Sequence, residues 1–477
     1  MYDVIIIGAG VVGCAVAREL SRLRLDVAVL EAGHDVAVGT TKANSAIVHS
    51  GCDAKPGTLK AATNVRGNAM FAEWARELEF PFRQNGSLIL CFDAESLPKL
   101  DEILERGRAN GVPDLRVVDR AGLEELEPGV GREAIAALYA PTGGITCPYE
   151  MTVALAENAA ANGVEFHFGQ RVSGVVKLAD GFAVDTPAGG FKSRVVVNAA
   201  GVFADEINNM VSSRKLTIVA RAGQYCLFDK TAGCLARQTL FQLPTKMGKG
   251  VLVSPTVDGN LIVGPTAVDL DDKSDVSTHR DLQELVLRVA AQSVENLPAR
   301  DIITVFTGLR AHCSEDDFVI GEAADVSGFF NLAGIESPGL TAAPAIAVMA
   351  AEMVGGRLAA RPNPDFVPRR PAIPKFREMD AEERSRAIAG NPAYGKVVCR
   401  CENVTEAEVL EAVRRHPGAR DLDGVKRRVR AGMGRCQGGF CSPQILAILS
   451  RELGMPWEQV SKFGGESRLL VGKNKMV

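Results

Sequence analysis

Two hydrophobic rhythms run along this chain. Short apolar runs, rich in Val and Ile at residues 2–7, 26–30 and 195–198 and joined by Asn331–Ala333, predict strands buried on both faces, since a strand with one wet face would alternate. Longer stretches with apolar positions three or four apart predict helices. The first runs to about Leu23, and others cover residues 59–78, 97–110 and 151–162, with a strongly apolar one beginning at Gly339. Residues 87–92 read as a further strand, and 215–265 as short strands with glycine turns. Strand, glycine turn, helix and strand within 31 residues make one βαβ unit. The stretch from Leu340 to Val354 is shorter than the ~20 residues a bilayer span requires and contains Glu352, so no spanning helix is predicted.

Five prolines between Arg361 and Phe376 exclude a helix or a central strand there and predict an extended linker. The expected organisation is therefore a large unit over 1–360, a linker and connecting segment over 361–395, a small domain over 396–455 and a tail over 456–477. In the small domain Thr405, with Glu408 three residues on, caps a helix to Arg415, and a second helix covers residues 443–453. Charge divides at the same boundary. Residues 396–477 carry 15 Lys and Arg against 9 Asp and Glu, whereas the whole chain has a net charge of −4. The basic run Lys426–Arg430 reads as a solvated face, or else as a docking patch for an acidic partner.

The 477 residues are 46% apolar and 23% charged, ordinary globular composition that excludes a mainly disordered chain. Neither the net charge nor the 5% aromatic content gives a footprint for nucleic acid. Eleven cysteines, seven of them scattered between Cys14 and Cys313, lack disulfide spacing, and no leader precedes the first strand; both lead to the expectation of a reducing, cytoplasmic setting. The last four differ. Cys399-Arg-Cys401 and Cys436-x4-Cys441 form two close pairs, which brought together would supply four thiolates to a 2Fe–2S cluster or a zinc ion.

Gly8-Ala-Gly10-Val-Val-Gly13 lies between the first strand and first helix, where glycines allow backbone to approach a pyrophosphate and the helix N-terminus supplies donors. Glu31, at the end of the second strand, would accept the adenosine ribose hydroxyls and disfavours a 2′-phosphate. The run Val195–Gly201, ending in Ala199-Ala200-Gly201, resembles the second motif of two-dinucleotide-fold FAD proteins. Asn331-Leu-Ala-Gly334, followed by Gly339-Leu340-Thr341, resembles the third, a helix N-terminus aimed at the flavin pyrimidine. The order of the three implies FAD rather than NAD.

The first 355 residues or so resemble the D-amino-acid-oxidase-like FAD oxidoreductases, and among them the anaerobic-type FAD-dependent glycerol-3-phosphate dehydrogenases. Thr41-Lys-Ala-Asn44-Ser45, leading to His49-Ser-Gly51, is similar to the segment that passes under the isoalloxazine in that group, and Gly308-Leu-Arg310 to its substrate-anion arginine. Cys52 departs from the pattern. The resemblance implies an α/β fold: a two-dinucleotide-fold FAD-binding domain with an inserted β-rich substrate domain. It also implies His49 as catalytic base, with His312 as a rival, and Arg310 as anchor for a small anionic substrate. Lys246 and Lys249, in a lysine-glycine hairpin, could add charge. Residues 396–455 resemble bacterioferritin-associated-ferredoxin-like domains, which implies a small helical iron–sulfur domain.

The expected activity is oxidation of glycerol 3-phosphate by hydride transfer to FAD, with electrons leaving through a 2Fe–2S cluster to a protein acceptor or partner flavoprotein subunit. Membrane association is expected only through such a partner. The alternatives are an L-2-hydroxyglutarate or amino-acid dehydrogenase, and an electron-relay subunit of a multi-subunit flavoenzyme.

Overall fold

A computed structural model describes residues 1–243, 250–472 and 474. The nucleotide-binding sheet has five parallel strands in the order Phe329–Ala333, Gly189–Asn198, Tyr2–Ile7, Val27–Leu30 and Glu165–His167. The ten-residue strand Gly189–Asn198 serves three neighbours, Phe329–Ala333 among them. Its second half pairs with Tyr2–Ile7, and its first half with the antiparallel strand Gly181–Thr186. The first strand is inaccessible from Val4 to Ile6 because helices cover one face of the sheet and further strands the other.

The helix Gly339–Leu358 packs between the helices Val11–Leu20 and Leu59–Leu78. At 20 residues it runs past the apolar stretch Leu340–Val354, and by length and composition it could cross a membrane. Two-thirds of its most apolar window is buried inside the fold, so its apolar character is that of a core helix.

Among the described residues, nine strands form the sheet of the second layer, built around the long pair Ile218–Phe228 and Ile302–Cys313. The sequence predicts only short strands here. In the structure Ile218–Phe228 runs for eleven residues, although Arg221 and Gly223 interrupt its apolar pattern. The long antiparallel partner supplies the ladder that holds it.

The proline-rich segment is extended but does not hang free. Arg24 N–H donates to Arg361 O at 2.8 Å, Asn363 N–H to Arg22 O at 2.7 Å, and Arg370 N–H to Glu77 O at 3.1 Å. It is a strap lashed along the large unit. Ile373 enters the core of the C-terminal domain, as does Val460 from the tail, so that core exceeds the expected 396–455 at both ends.

The C-terminal domain packs the helices Glu406–Arg414, Leu422–Val429 and Ser442–Leu453 beside a two-stranded ribbon. The cap at Thr405 forms: its backbone N–H and hydroxyl both donate to Glu408, at 2.8 and 2.7 Å. The helix Leu422–Val429 holds most of the basic run, which is not a solvated face. Arg427, Arg428 and Arg430 are each about 5% exposed. They are neutralised by Asp35 and Asp258 of the large unit and by Glu402. Carboxylates from 28 to 393 positions away make burial of these arginines affordable. With Arg415–Glu157 and Arg435–Asp229, these pairs fix the small domain on the large one.

Candidate active site and metal centre

The three sequence motifs meet at one cleft, of about 980 Å³. Gly8 has φ +105° and its Cβ would lie 2.5 Å from Ala199 O, while a Cβ on Gly13 would lie 1.9 Å from Gly8 O. These two glycines permit the turn and the close packing behind it. Gly10 opens onto the cleft with Val11 and Val12 at the N-terminus of the first helix. Thr41 Oγ1 accepts the Val11 N–H at 3.0 Å, tying the next segment to this loop. Glu31 stands behind the turn: its two oxygens accept the N–H groups of Ala9 and Gly33, both at 2.7 Å. Burial raises the Glu31 carboxyl against the lowering effect of these bonds.

Asn198 and Asn331, at the ends of adjacent strands, join the second and third motifs. Asn198 Nδ2 donates to Asn331 Oδ1 at 2.9 Å, and Asn331 Nδ2 to Asn208 Oδ1 at 2.8 Å. Gly201, with φ +59°, borders the cleft, and Ala200 precedes it. Gly339 and Leu340, at the N-terminus of their helix, also line it. Gly334 does not; it forms a turn packed on Cys313. Thr341 is inaccessible, and its hydroxyl accepts the His49 N–H at 2.8 Å. No motif points to that bond.

The cleft is also lined by Asn44, Ser45 and His49 and by Tyr225, Gly308 and Arg310 of the second sheet. Asn44 Nδ2 donates to Thr41 O at 2.9 Å, and its Oδ1 accepts the Ala46 N–H at 2.8 Å, which holds this irregular segment in shape. A Cβ on Gly308 would lie 1.8 Å from Ala43 O, so glycine is what lets strand and segment touch. The Arg310 guanidinium donates to Thr266 O at 3.3 Å. His49 Nε2 stands 3.4 Å from Ser337 Oγ, and its ring lies 5.7 Å from that of Phe241.

A second chamber, lined by Cys52, Asn64, Ser87 and Phe241, meets the cleft at His49 and Pro338. Cys52 Sγ accepts from Ser50 Oγ at 3.4 Å. His312 does not line the cleft. Its Nδ1 is 3.1 Å from Glu336 Oε1, and Glu336 also pairs with Lys60; burial would raise the Glu336 carboxyl, but these two groups hold it low. Lys246 and Lys249 lie outside the described residues.

The four C-terminal cysteines converge. Cys401 Sγ and Cys436 Sγ are 3.6 Å apart and exposed, whereas Cys399 and Cys441 are buried in the domain core and hydrogen-bonded to one another. The Cys399 thiol is lowered to about 6, chiefly by the bond from Cys441 and then, against burial, by the backbone N–H groups of Gly432 and Glu402. Backbone N–H groups of Phe440 and Gly438 likewise draw Cys436 down. Four soft donors surrounded by amide dipoles suit an anionic iron–sulfur cluster. Cys147, Glu150 and Asp258 also lie close together, but Lys375, Arg377 and Arg430 already neutralise the two acids.

A glycine turn, a helix N-terminus, a terminal acid on the second strand and two further returns of the chain to one cleft define a flavin-dinucleotide oxidoreductase. A family profile described as FAD dependent oxidoreductase matches residues 3–353, and one described as BFD-like 2Fe-2S binding domain matches residues 397–451. The chain belongs to the FAD-dependent oxidoreductase family, with FAD as its cofactor, and carries a C-terminal 2Fe–2S-binding domain.

It is 48% identical to a glycerol 3-phosphate dehydrogenase of Caloramator mitchellensis, over 100% of this chain and 99% of that one. It is similar to the dithionite-reduced, FAD-bound L-alpha-glycerophosphate oxidase of Mycoplasma pneumoniae, with TM-score 0.74 and 31% identity over 77% of this chain and 98% of that one. A glycerol-3-phosphate dehydrogenase from Bacillus halodurans complexed with FAD shares the fold, with TM-score 0.70 and 18% identity over 96% and 91% of the two chains.

Proposed function

We propose that this enzyme oxidises sn-glycerol 3-phosphate to dihydroxyacetone phosphate and passes the electrons through its 2Fe–2S cluster to a one-electron protein acceptor. The observation that carries the reading is that His49 and Arg310, 261 positions apart, open onto one cleft with all three nucleotide motifs. Full-length similarity to a glycerol 3-phosphate dehydrogenase supports the choice of substrate.

Gly10, Val11, Thr41, Asn44, Ser45, Gly201, Gly339 and Leu340 would hold FAD, with Glu31 at its ribose. When bound, FAD supplies the acceptor for the C2 hydrogen and its electron pair, and can give up electrons singly. The protein's own groups do the rest. Arg310 presents a planar cationic fork to the phosphate. His49 takes the C2 hydroxyl proton as the carbonyl forms, a role suited to imidazole near neutral pH. Thr341 holds the His49 backbone in place.

The test is anaerobic bleaching of the flavin by sn-glycerol 3-phosphate, L-2-hydroxyglutarate and glycine in parallel. The reading requires bleaching by the phosphate at concentrations at least about 100-fold lower than for the other two, a difference of about 2.7 kcal/mol. Equal or preferential bleaching by the hydroxy acid overturns it.

A further inference from the structure

We propose that the iron–sulfur domain is part of the FAD site: its helix Leu422–Val429 grips the segment between Glu31 and Thr41, so domain docking and FAD binding strengthen one another. The proposal rests on the reading of Glu31 and Thr41 as FAD contacts.

Residues 31–39 contain neither helix nor strand. Backbone bonds hold the start of the segment, from Glu31 N–H to His167 O at 2.9 Å, from Gln170 N–H to Glu31 O at 2.8 Å and from Gly169 N–H to Gly33 O at 2.7 Å, and from His34 onward its course is set by what it touches on either side. On the inner side it follows the glycine turn. Glu31 accepts the Ala9 N–H, and the Ala37 N–H donates to Ala9 O at 3.0 Å. Just beyond the segment, Thr41 accepts the Val11 N–H.

On the outer side the same segment is held by the C-terminal domain. Asp35 Oδ2 accepts from Arg427 Nη2 at 2.6 Å and from Arg428 Nη1 at 2.7 Å, while Oδ1 accepts from Arg428 Nη2 at 2.7 Å. The Arg428 fork is thus bidentate, and its side chain is wholly buried. Arg428 also donates to Pro417 O and Gly424 O, at 3.0 and 3.1 Å, which anchors the fork within its own domain. One residue before Asp35, His34 Nε2 faces Asp421 Oδ2 at 3.3 Å. Gly424 lets the helix approach, because a Cβ there would lie 3.2 Å from Asp35 Oδ2.

The segment therefore lies between the glycine turn and the small domain. Any free energy with which FAD orders it also favours docking, and docking favours FAD by the same factor. Asp35, Arg427 and Arg428 are positioning residues, since they act through the segment. Removing one partner of such a buried pair leaves a charge without compensation, which is why the effect should be large.

The test uses the full chain with its cluster reconstituted. Asp35→Asn and Arg428→Met are deflavinated and titrated with FAD by fluorescence, while the visible spectrum reports the cluster. The expected result is FAD affinity weakened about 10-fold or more in each, with the cluster spectrum retained and the double variant no worse than either single one. FAD affinity within twofold of wild type in both overturns the proposal.

Glu31→Gln separates the two readings. If it leaves FAD affinity unchanged, the assignment of the FAD site fails and the coupling fails with it. If it weakens FAD while Arg428→Met does not, only the coupling fails. Wild-type protein gives an independent readout should the variants misfold. Hydrogen exchange at residues 422–429 must slow when FAD is added, and unchanged exchange there overturns the coupling.

Discussion

The backbone N–H of His49 donates to Thr341 Oγ1 at 2.8 Å, so a residue on the first turn of the helix Gly339–Leu358 fixes the histidine that lines the cleft. The two positions are 292 apart in sequence, and both flank the place where the flavin ring is proposed to lie. The contact makes the third nucleotide motif a support for the proposed base as well as for the cofactor.

Thr341→Val should lower kcat about 10-fold with little change in FAD content, because a buried donor left unpaired costs about 1–3 kcal/mol. Thr341→Ser keeps the hydroxyl and should restore most of the rate. Stopped-flow flavin reduction under anaerobic conditions measures both. An unaffected rate in the valine variant would show that His49 is positioned without this bond.

Arg310→Lys should raise KM for the anionic substrate at least 10-fold while kcat falls much less, since an ammonium keeps the charge and loses the fork. The flavin absorbance should be that of wild type, which separates substrate anchoring from cofactor binding. A fall in kcat at unchanged KM would place the guanidinium in the chemical step instead.

The βαβ unit was legible because its glycines answer to local sterics: Gly8 and Gly13 have no room for a Cβ. The helix Leu59–Leu78 was legible from its spacing alone. The helix Leu422–Val429 was not. Its three central basic residues read as solvent-facing, and what buries two of them is Asp35, almost 400 positions earlier. The same limit hid Thr341 as a support for His49. Motifs expose the residues that approach a ligand, whereas the residues holding them in place are chosen by long-range contacts with no fixed spacing.

Gly308→Ala should disable the site without touching a charged group. Its Cβ would meet the carbonyl oxygen of Ala43 at 1.8 Å, and a backbone oxygen can retreat only by moving the segment that carries Asn44 and Ser45. The expected result is FAD affinity reduced more than 10-fold, read by fluorescence titration, with a stability loss of about 1–3 kcal/mol. Gly57→Ala is a useful contrast because it has open space around it, although its φ of +83° adds backbone strain.

Acid should release the clasp late. Burial would raise the Asp35 carboxyl, but Arg428 and Arg427 outweigh it and bring the group down to about 2. A folded value below the unfolded one gives stability that is fully present above about pH 4 and is lost as pH falls toward 2. Asp35→Asn should therefore be less stable than wild type by about 2 kcal/mol at pH 7. The gap should narrow only below pH 4. Urea unfolding at pH 7, 4 and 2.5 measures it, and a gap that already closes between pH 7 and 5 would point to another group.

Electrons should leave through the C-terminal cluster, and the outer cysteine pair offers the cleaner test. Cys399 and Cys441 sit in the domain core, so replacing them would disturb packing along with ligation. Cys401 and Cys436 are exposed, and serine in their place removes two thiolates at little structural cost. In Cys401→Ser/Cys436→Ser the cluster absorbance should disappear, while FAD content and the rate of flavin bleaching by substrate stay within twofold of wild type. Turnover with a one-electron protein acceptor should fall at least about 100-fold, because the flavin is left with no cluster to receive single electrons. Iron and sulfide analysis of the wild-type protein should return two of each per chain. Wild-type turnover in the double variant would mean that the acceptor takes electrons from the flavin directly, and the four-cysteine domain would then be left with the role its buried arginines already give it, that of holding the nucleotide-binding segment in place.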